Sequence, residues 1–244
     1  MLRALFLSAA LIPAIASAAD SENLSGEVSL NGSRSTGNTD TTDVGGVVKL
    51  KWAGLGWRQK LRANADYAEQ SGNGTKSRYR ISYAVERDLS DRWYANASTD
   101  YFQDDFGPYK SGIFVGAGLG YNAVLPPPFE LNLEAGPGYR RQKTREPVDV
   151  PPGIPSLIEE ELAVRLAADA DWTVNERITL TNDSELITSA SDTYIWNETA
   201  ITANLFGGLG LRASYRVDHH TDVPEDREKT DTVTRIGVVY TFGD

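Results

Sequence analysis

The feature that most constrains this chain is a two-residue alternation of apolar and polar side chains, repeated along nearly its whole length. One parity reads Trp57, Gln59, Leu61, Ala63, Ala65, Tyr67, and the other Arg58, Lys60, Arg62, Asn64, Asp66. A period of two belongs to a β-strand, whose successive side chains point to opposite faces. A helix would instead bring apolar residues back every three or four positions. The pattern returns with Tyr79, Ile81, Tyr83 and Val85 against Arg78, Arg80 and Glu86, and with Trp93, Ala95, Ala97 and Tyr101 against Asn96, Ser98 and Asp100. From Ile113 to Tyr121 the apolar parity alternates mainly with glycines, and Phe129, Leu131, Leu133 and Ala135 oppose Glu130, Asn132 and Glu134. Leu162, Val164, Leu166 and Trp172 oppose Glu161, Arg165, Asp169 and Asp171. Leu209, Leu211, Tyr215 and Val217 oppose Arg212, Ser214 and Arg216, while Ile236, Val238, Tyr240 and Phe242 alternate with Arg235 and small residues. Weaker strands fit at 24–35, 41–52, 178–189 and 193–205. The spacing predicts about twelve strands, each near the ~9–11 residues that a tilted membrane strand needs.

Alternation alone fits a soluble sheet as well as a membrane barrel, and three further features choose the barrel. The links alternate in length. Short ones fall at 53–56, 89–92, 126–128, 175–177 and 207–208, and longer polar ones at 36–40, 69–75, 103–110, 142–156 and 219–230, with 189–192 a short exception. Short turns on one rim and long loops on the other are the habit of outer-membrane barrels. Large aromatics on the apolar parity are also sorted by strand end. Trp52, Trp57, Trp93, Tyr121, Phe129, Trp172 and Phe242 stand beside the short links, and Tyr67, Tyr79, Tyr101 and Tyr139 beside the long ones. Amphipathic rings prefer water–lipid interfaces, so two membrane-interface girdles are expected. Finally, the polar parity is too charged for a packed core. Arg58, Lys60, Arg62, Arg78, Arg80, Arg140, Arg165, Arg212, Arg216 and Arg235 share it with Glu86, Asp100, Glu130, Glu134, Asp169 and Glu198. These are the expected lumen-lining residues of an all-β, transmembrane, antiparallel up-and-down β-barrel. An even strand count puts both termini on the short-turn rim, the periplasmic one.

The first residues read as an export signal rather than as fold. Arg3 is followed by an apolar stretch from Ala4 to Ile15 and by Ala16-Ser17-Ala18 at the peptidase site, so residues 1–18 are assigned to a cleaved signal peptide and 19–244 to an outer-membrane β-barrel domain. The chain has no cysteine, which excludes a lipoprotein anchor, disulfides and thiolate metal sites. A net charge of −10 argues against nucleic acid, whose phosphates it would repel. Gly136-Pro137-Gly138 resists the simple picture: proline cannot donate to a ladder and a closed barrel has no edge, so a bulge or strand exit is expected there.

Three stretches carry a family resemblance: Gly37-Asn38-Thr39-Asp40-Thr41-Thr42, Leu133-Glu134-Ala135-Gly136-Pro137-Gly138-Tyr139-Arg140, and Ser191-Asp192-Thr193-Tyr194 leading to Asn197-Glu198-Thr199-Ala200. Together they resemble the YdiY-like, salt-induced outer-membrane proteins, known chiefly as a domain of unknown function. The resemblance spans nearly the whole mature chain. It implies an outer-membrane barrel and an association with salt or envelope stress, and it assigns no catalytic residue. One departure is at the end of the chain, where Gly243 and Asp244 follow Phe242 although such barrels usually close on the aromatic that the assembly machinery reads.

The charged wall frames the functional expectation. Eight-stranded barrels are filled by side chains and those of about sixteen leave a channel, so about twelve strands point to a narrow lumen: a small-solute or ion channel, or a structural barrel plugged by its own paired charges. An outer-membrane lipid-modifying enzyme is a lesser reading. His219 and His220 are the only histidines and Ser214 lacks a nucleophile motif, so both histidines are expected as solvated loop residues, with at most one facing inward. The acids Asp104, Asp105, Asp218, Asp222, Glu225 and Asp226 are expected in solvated outer loops without the spacing of a calcium loop. No catalytic residue, metal or cofactor is expected. The expected partners are outer-membrane lipids, lipopolysaccharide and the barrel-assembly machinery.

Overall fold

The computed structural model describes residues 23–35, 41–123, 126–144, 158–223 and 228–243. The expected signal peptide, loop 36–40, most of loop 142–156, Glu225, Asp226 and Asp244 lie outside the described residues. Among the described residues the strands are β1 (Leu24–Ser35), β2 (Thr41–Gly54), β3 (Trp57–Gln70), β4 (Asn73–Asp88), β5 (Trp93–Asp104) and β6 (Tyr109–Ala123), followed by β7 (Phe129–Thr144), β8 (Ile158–Asn175), β9 (Ile178–Ser189), β10 (Thr193–Phe206), β11 (Leu209–His220) and β12 (Thr230–Phe242). Each pairs antiparallel with its neighbours in sequence, and β1 pairs with β12, with Gly26 opposite Phe242 and Leu30 opposite Val238. The sheet is therefore closed, with β1 and β12 paired from Gly26 opposite Phe242 to Asn31 opposite Gly237.

The apolar parity faces outward. Leu162 is 84% exposed, Ile236 73% and Leu211 50%, exposures that a monomer in water does not sustain over a continuous apolar band. No helix among the described residues is long and apolar enough to cross a membrane, and strands are the alternative that satisfies every backbone group internally.

Two-residue turns join β2 to β3 at Leu55-Gly56 (φ 53° and 73°), β3 to β4 at Ser71-Gly72 (51° and 80°) and β10 to β11 at Gly207-Gly208 (56° and 80°). Both central residues having positive φ is the hairpin turn whose twist matches that of the strands. The middle one corrects the expectation of a long loop at 69–75. β3 and β4 pair as far as Gln70 opposite Asn73, because the polar residues there continue the ladder.

The expectation at Gly136-Pro137-Gly138 is also corrected. β7 runs straight through, and Gly116 opposite Gly138 keeps the same register as Leu119 opposite Ala135. The backbones approach closely instead. A Cβ on Gly136 would lie 2.2 Å from the Ala117 carbonyl oxygen, and one on Gly118 2.3 Å from that of Ala135. The two glycines let the strands close around a residue that has no N–H to donate.

Candidate functional site: the charged lumen

The polar parity of every strand meets inside the barrel, where its charges pair at three depths. Near the short-turn rim, Arg58 Nε donates to Glu86 Oε2 (2.7 Å), Arg58 Nη1 to Asp88 (2.5 Å), and Lys60 Nζ reaches Glu86 Oε1 (2.5 Å). Glu86 is 1% exposed. At mid-depth Arg62 and Lys49 pair across the lumen, while Arg165 and Arg212 pair with strands on their own side of it. Arg62 bonds Asp183 (2.7 Å) and Glu198 (3.1 Å), Lys49 bonds Asp183 (3.1 Å), and Arg165 bonds both Glu134 and Glu185 (2.6 Å each). Arg212 bonds Glu27 at 3.1 Å. Toward the loop rim, Asp66 takes Arg78 (2.9 Å) and Arg235 (2.5 Å), Asp100 takes Arg80 (2.8 Å), and Asp218 takes Arg216 (2.8 Å). Arg140 reaches Asp192 at 3.3 Å. Of the residues expected on this wall, all but Glu130 and Asp169 take part in an ion pair among the described residues.

Several inner residues are not legible from the alternation. Lys49, Glu27 and Asp183 lie on strands whose pattern is weak. Tyr94, Phe114, Tyr194 and Trp196 are aromatics on the polar parity, a choice that only a filled lumen explains. Tyr94 is 1% exposed and donates to Glu134 at 2.9 Å, and its ring occupies the space where a Cβ on Gly120 would sit, 2.0 Å from Cζ. Phe114 lies likewise over Gly116 and Gly138. The glycines that alternate with the apolar parity of β6 thus make room for inward rings. Arg62 stacks 4.7 Å from the centre of Trp196 and Arg80 5.0 Å from that of Tyr194, contacts that hold guanidinium groups in low-dielectric surroundings.

Among the described residues, the lumen is open at one end and filled at the other. From mid-depth to the short-turn rim run cavities of about 410 Å³ and about 470 Å³ that share Lys51, Lys60, Glu130 and Asn132 in their walls. Toward the loop rim a cavity of about 80 Å³ remains, bounded by Phe114, Arg140, Tyr194, Arg216 and His220. Tyr194 is the centre of the filled layer: its hydroxyl accepts from Arg80 Nη1 (2.6 Å) and donates to Asp218 (2.8 Å).

The histidine expectation is corrected. His220 closes β11 and faces inward, with its ring centroid 4.9 Å from that of Tyr109 and 4.8 Å from that of Tyr194, and with Nδ1 2.7 Å from Asp192 Oδ2. It is half-buried rather than solvated, because Tyr194 from the adjacent β10 and Tyr109 from β6 across the lumen bring two rings against it. His219 faces the other way and meets Thr230 at 2.8 Å. Ser214 lies six residues from His220 on one strand, about 20 Å along it, so no nucleophile–base pair forms between them. Asp218 is likewise no loop acid but a buried inner-wall residue. Asp104 caps the amides of Phe106 and Gly107 at 2.8 Å, and Asp105 accepts from Ser77 at 3.0 Å. No group of His, Asp and Glu among the described residues is arranged to hold a metal ion.

On the outer surface Trp52, Trp57, Trp93 and Trp172 are exposed near the short-turn rim, and Tyr67, Tyr79, Tyr101 and Tyr139 nearer the loop rim. Trp93 packs 4.9 Å from Tyr121, and Tyr121 and Phe129 are half-buried. Phe242 differs. It is 6% exposed, its ring filling the space above Gly26 beside Leu50.

A closed antiparallel barrel with an apolar exterior and a charged interior defines the class of bacterial outer-membrane barrels. The chain belongs to the family described as "Protein of unknown function, DUF481", whose model matches residues 28–242. It is 22% identical to the uncharacterized protein YdiY of Escherichia coli (strain K12) over 208 residues, 85% of this chain and 79% of that protein. Its fold is similar to the translocator domain of the autotransporter NalP from Neisseria meningitidis, with a TM-score of 0.53 at 13% identity, covering 96% of this chain and 94% of that one.

Proposed function

We propose that the protein resides in the outer membrane as a narrow channel for small polar solutes, with the short-turn rim in the periplasm and a constriction in the outer half of the lumen. The observation that carries this reading is the asymmetry of the interior. A barrel that only braces the envelope has no use for two charge-lined cavities of about 410 and 470 Å³ opening on one rim. The two depths of outward aromatics support a lipid-spanning exterior anchored at both interfaces. The paired layer around Tyr194 supports a second reading, a sealed structural barrel, since cross-lumen pairs of this kind are costly to break, about 3–5 kcal/mol for removal of one partner.

Planar-bilayer recording separates the two. The channel reading expects small discrete conductance steps from the purified wild-type protein and larger ones from Tyr194→Ala, which removes the centre of the filled layer. Silence from both proteins over a wide range of salt leaves the sealed barrel. Heat-modifiable gel mobility and extraction by detergent rather than buffer check the membrane assignment.

A further inference from the structure

The wide half of the lumen has two facing walls of opposite charge, and each is built against the preference of its own strand pairs. On β2 and β3, Lys51 stands directly opposite Lys60, and Lys49 opposite Arg62. On β7, β8 and β9, Glu130 stands directly opposite Asp171, and Asp169 opposite Asp183. Directly opposed side chains on one face of an antiparallel pair lie about 4.5–5.5 Å apart at Cβ, and like charges in that relation repel. Other directly opposed pairs of the barrel join unlike charges: Arg58 faces Glu86, Asp66 faces Arg78, and Glu198 faces Arg216 across adjacent strands. Toward the loop rim Asp218 also stands opposite Asp231, so what sets this half apart is that like pairs of the two signs face each other across the lumen.

The two walls meet at mid-depth, where Lys49 and Arg62 both bond Asp183 across the barrel (3.1 and 2.7 Å). Toward the short-turn rim they part around the two cavities. There Lys51, Glu130, Asp169 and Asp171 line open space with no ion-pair partner among the described residues. Lys51, Glu130 and Asp171 are exposed and Asp169 is half-buried, so both signs are presented to a solute that enters this space.

We propose that this vestibule binds small zwitterionic solutes, molecules whose ammonium and carboxylate are held apart by a short chain. They lie across the lumen with the carboxylate toward Lys51 and the ammonium toward Glu130 and Asp171. A lone anion or cation gains from one wall and is repelled by the other, whereas an aligned dipole gains from both. A divalent cation fits worse, because the basic wall faces the carboxylates that would hold it. The assignment rests on the channel reading for its use in the cell, since it names the solute class the channel would admit, but the binding geometry stands without conduction.

Calorimetric titration of the full-length barrel in detergent micelles reads the site directly, using γ-aminobutyrate, butyrate and butylamine as solutes of matched size. γ-Aminobutyrate is expected to bind at least about tenfold more tightly than either singly charged solute. Lys51→Gln, and separately Glu130→Gln with Asp171→Asn, should each reduce it to their level. None of these side chains has an ion-pair partner to orphan, so the variants should retain heat-modifiable mobility; if one fails to fold, the wild-type solute series still decides. Equal binding of the three solutes, or no measurable binding of γ-aminobutyrate, overturns the proposal. Discrete conductance with an indifferent titration sinks the zwitterion site alone, and a selective titration on a silent barrel sinks the channel alone.

Discussion

At the loop rim one carboxylate, Asp192, ties three segments together. Its Oδ2 meets His220 Nδ1 at 2.7 Å and Arg140 Nη1 at 3.3 Å, while Oδ1 accepts the amides of Thr221 (2.9 Å) and Asp222 (3.1 Å). Its side chain is fully buried. Burial by itself pushes the carboxyl pKa up, but His220, the Asp222 amide and Arg140 outweigh it and hold the group below its ordinary range. A carboxylate depressed in the folded state stabilises fully above its unfolded value, about 3.9, and that contribution fades as pH falls through the folded value. Asp192→Asn should therefore destabilise the barrel by about 1–3 kcal/mol at neutral pH. In chemical unfolding, the gap between wild type and variant should shrink as pH is lowered below about 4. A gap that is the same at pH 3 and pH 7 would show that the charge of Asp192 contributes nothing.

Among the elements, the turns carry the clearest local strain. Leu55 holds a φ of 53° and is 95% exposed, so its side chain gains nothing from packing while its backbone sits in the region that suits Asn or Gly. Leu55→Asn should stabilise the β2–β3 hairpin by about 1 kcal/mol, read as a higher denaturant midpoint with an unchanged slope; a lower midpoint refutes the strain. The strands themselves were legible because one face meets an apolar exterior and the other a charged interior, which keeps the period of two intact over Trp57–Gln70 and its neighbours. The Ser71-Gly72 turn was not, since polar residues above the apolar band look the same in a loop as in an extended hairpin. The partners across the lumen were hidden for a different reason. Lys49 and Asp183 lie 134 residues apart, and only closure of β1 on β12 fixes which strands face each other. Tyr94, Tyr194 and Trp196 are not legible because they stand on the polar parity, where the alternation expects charged and small residues, whereas in a barrel of this width they fill the interior as side chains do in smaller barrels.

At the scale of the barrel, the decisive property is that the lumen has one open end among the described residues. The short-turn rim gives onto wide cavities, and the layer of Arg80, Asp100, Tyr194, Arg216 and Asp218 closes the other side. The complete absence of cysteine makes this testable by a single introduced thiol. Ser98 faces inward from β5, opposite Gly116 on β6, and lines the mid-depth cavity; it takes part in no side-chain pair that the substitution would break. In proteoliposomes of known orientation, Ser98→Cys should react rapidly with a small thiol reagent supplied on the short-turn side and far more slowly with the same reagent supplied on the loop side. Adding Tyr194→Ala should bring the two rates together, because it removes the hydroxyl that joins Arg80 to Asp218 and the ring that fills the space between them. Equal rates in the single variant would mean that the filled layer does not close the lumen. Unequal rates that survive Tyr194→Ala would assign closure to the ion pairs of Arg80 and Arg216 rather than to the ring.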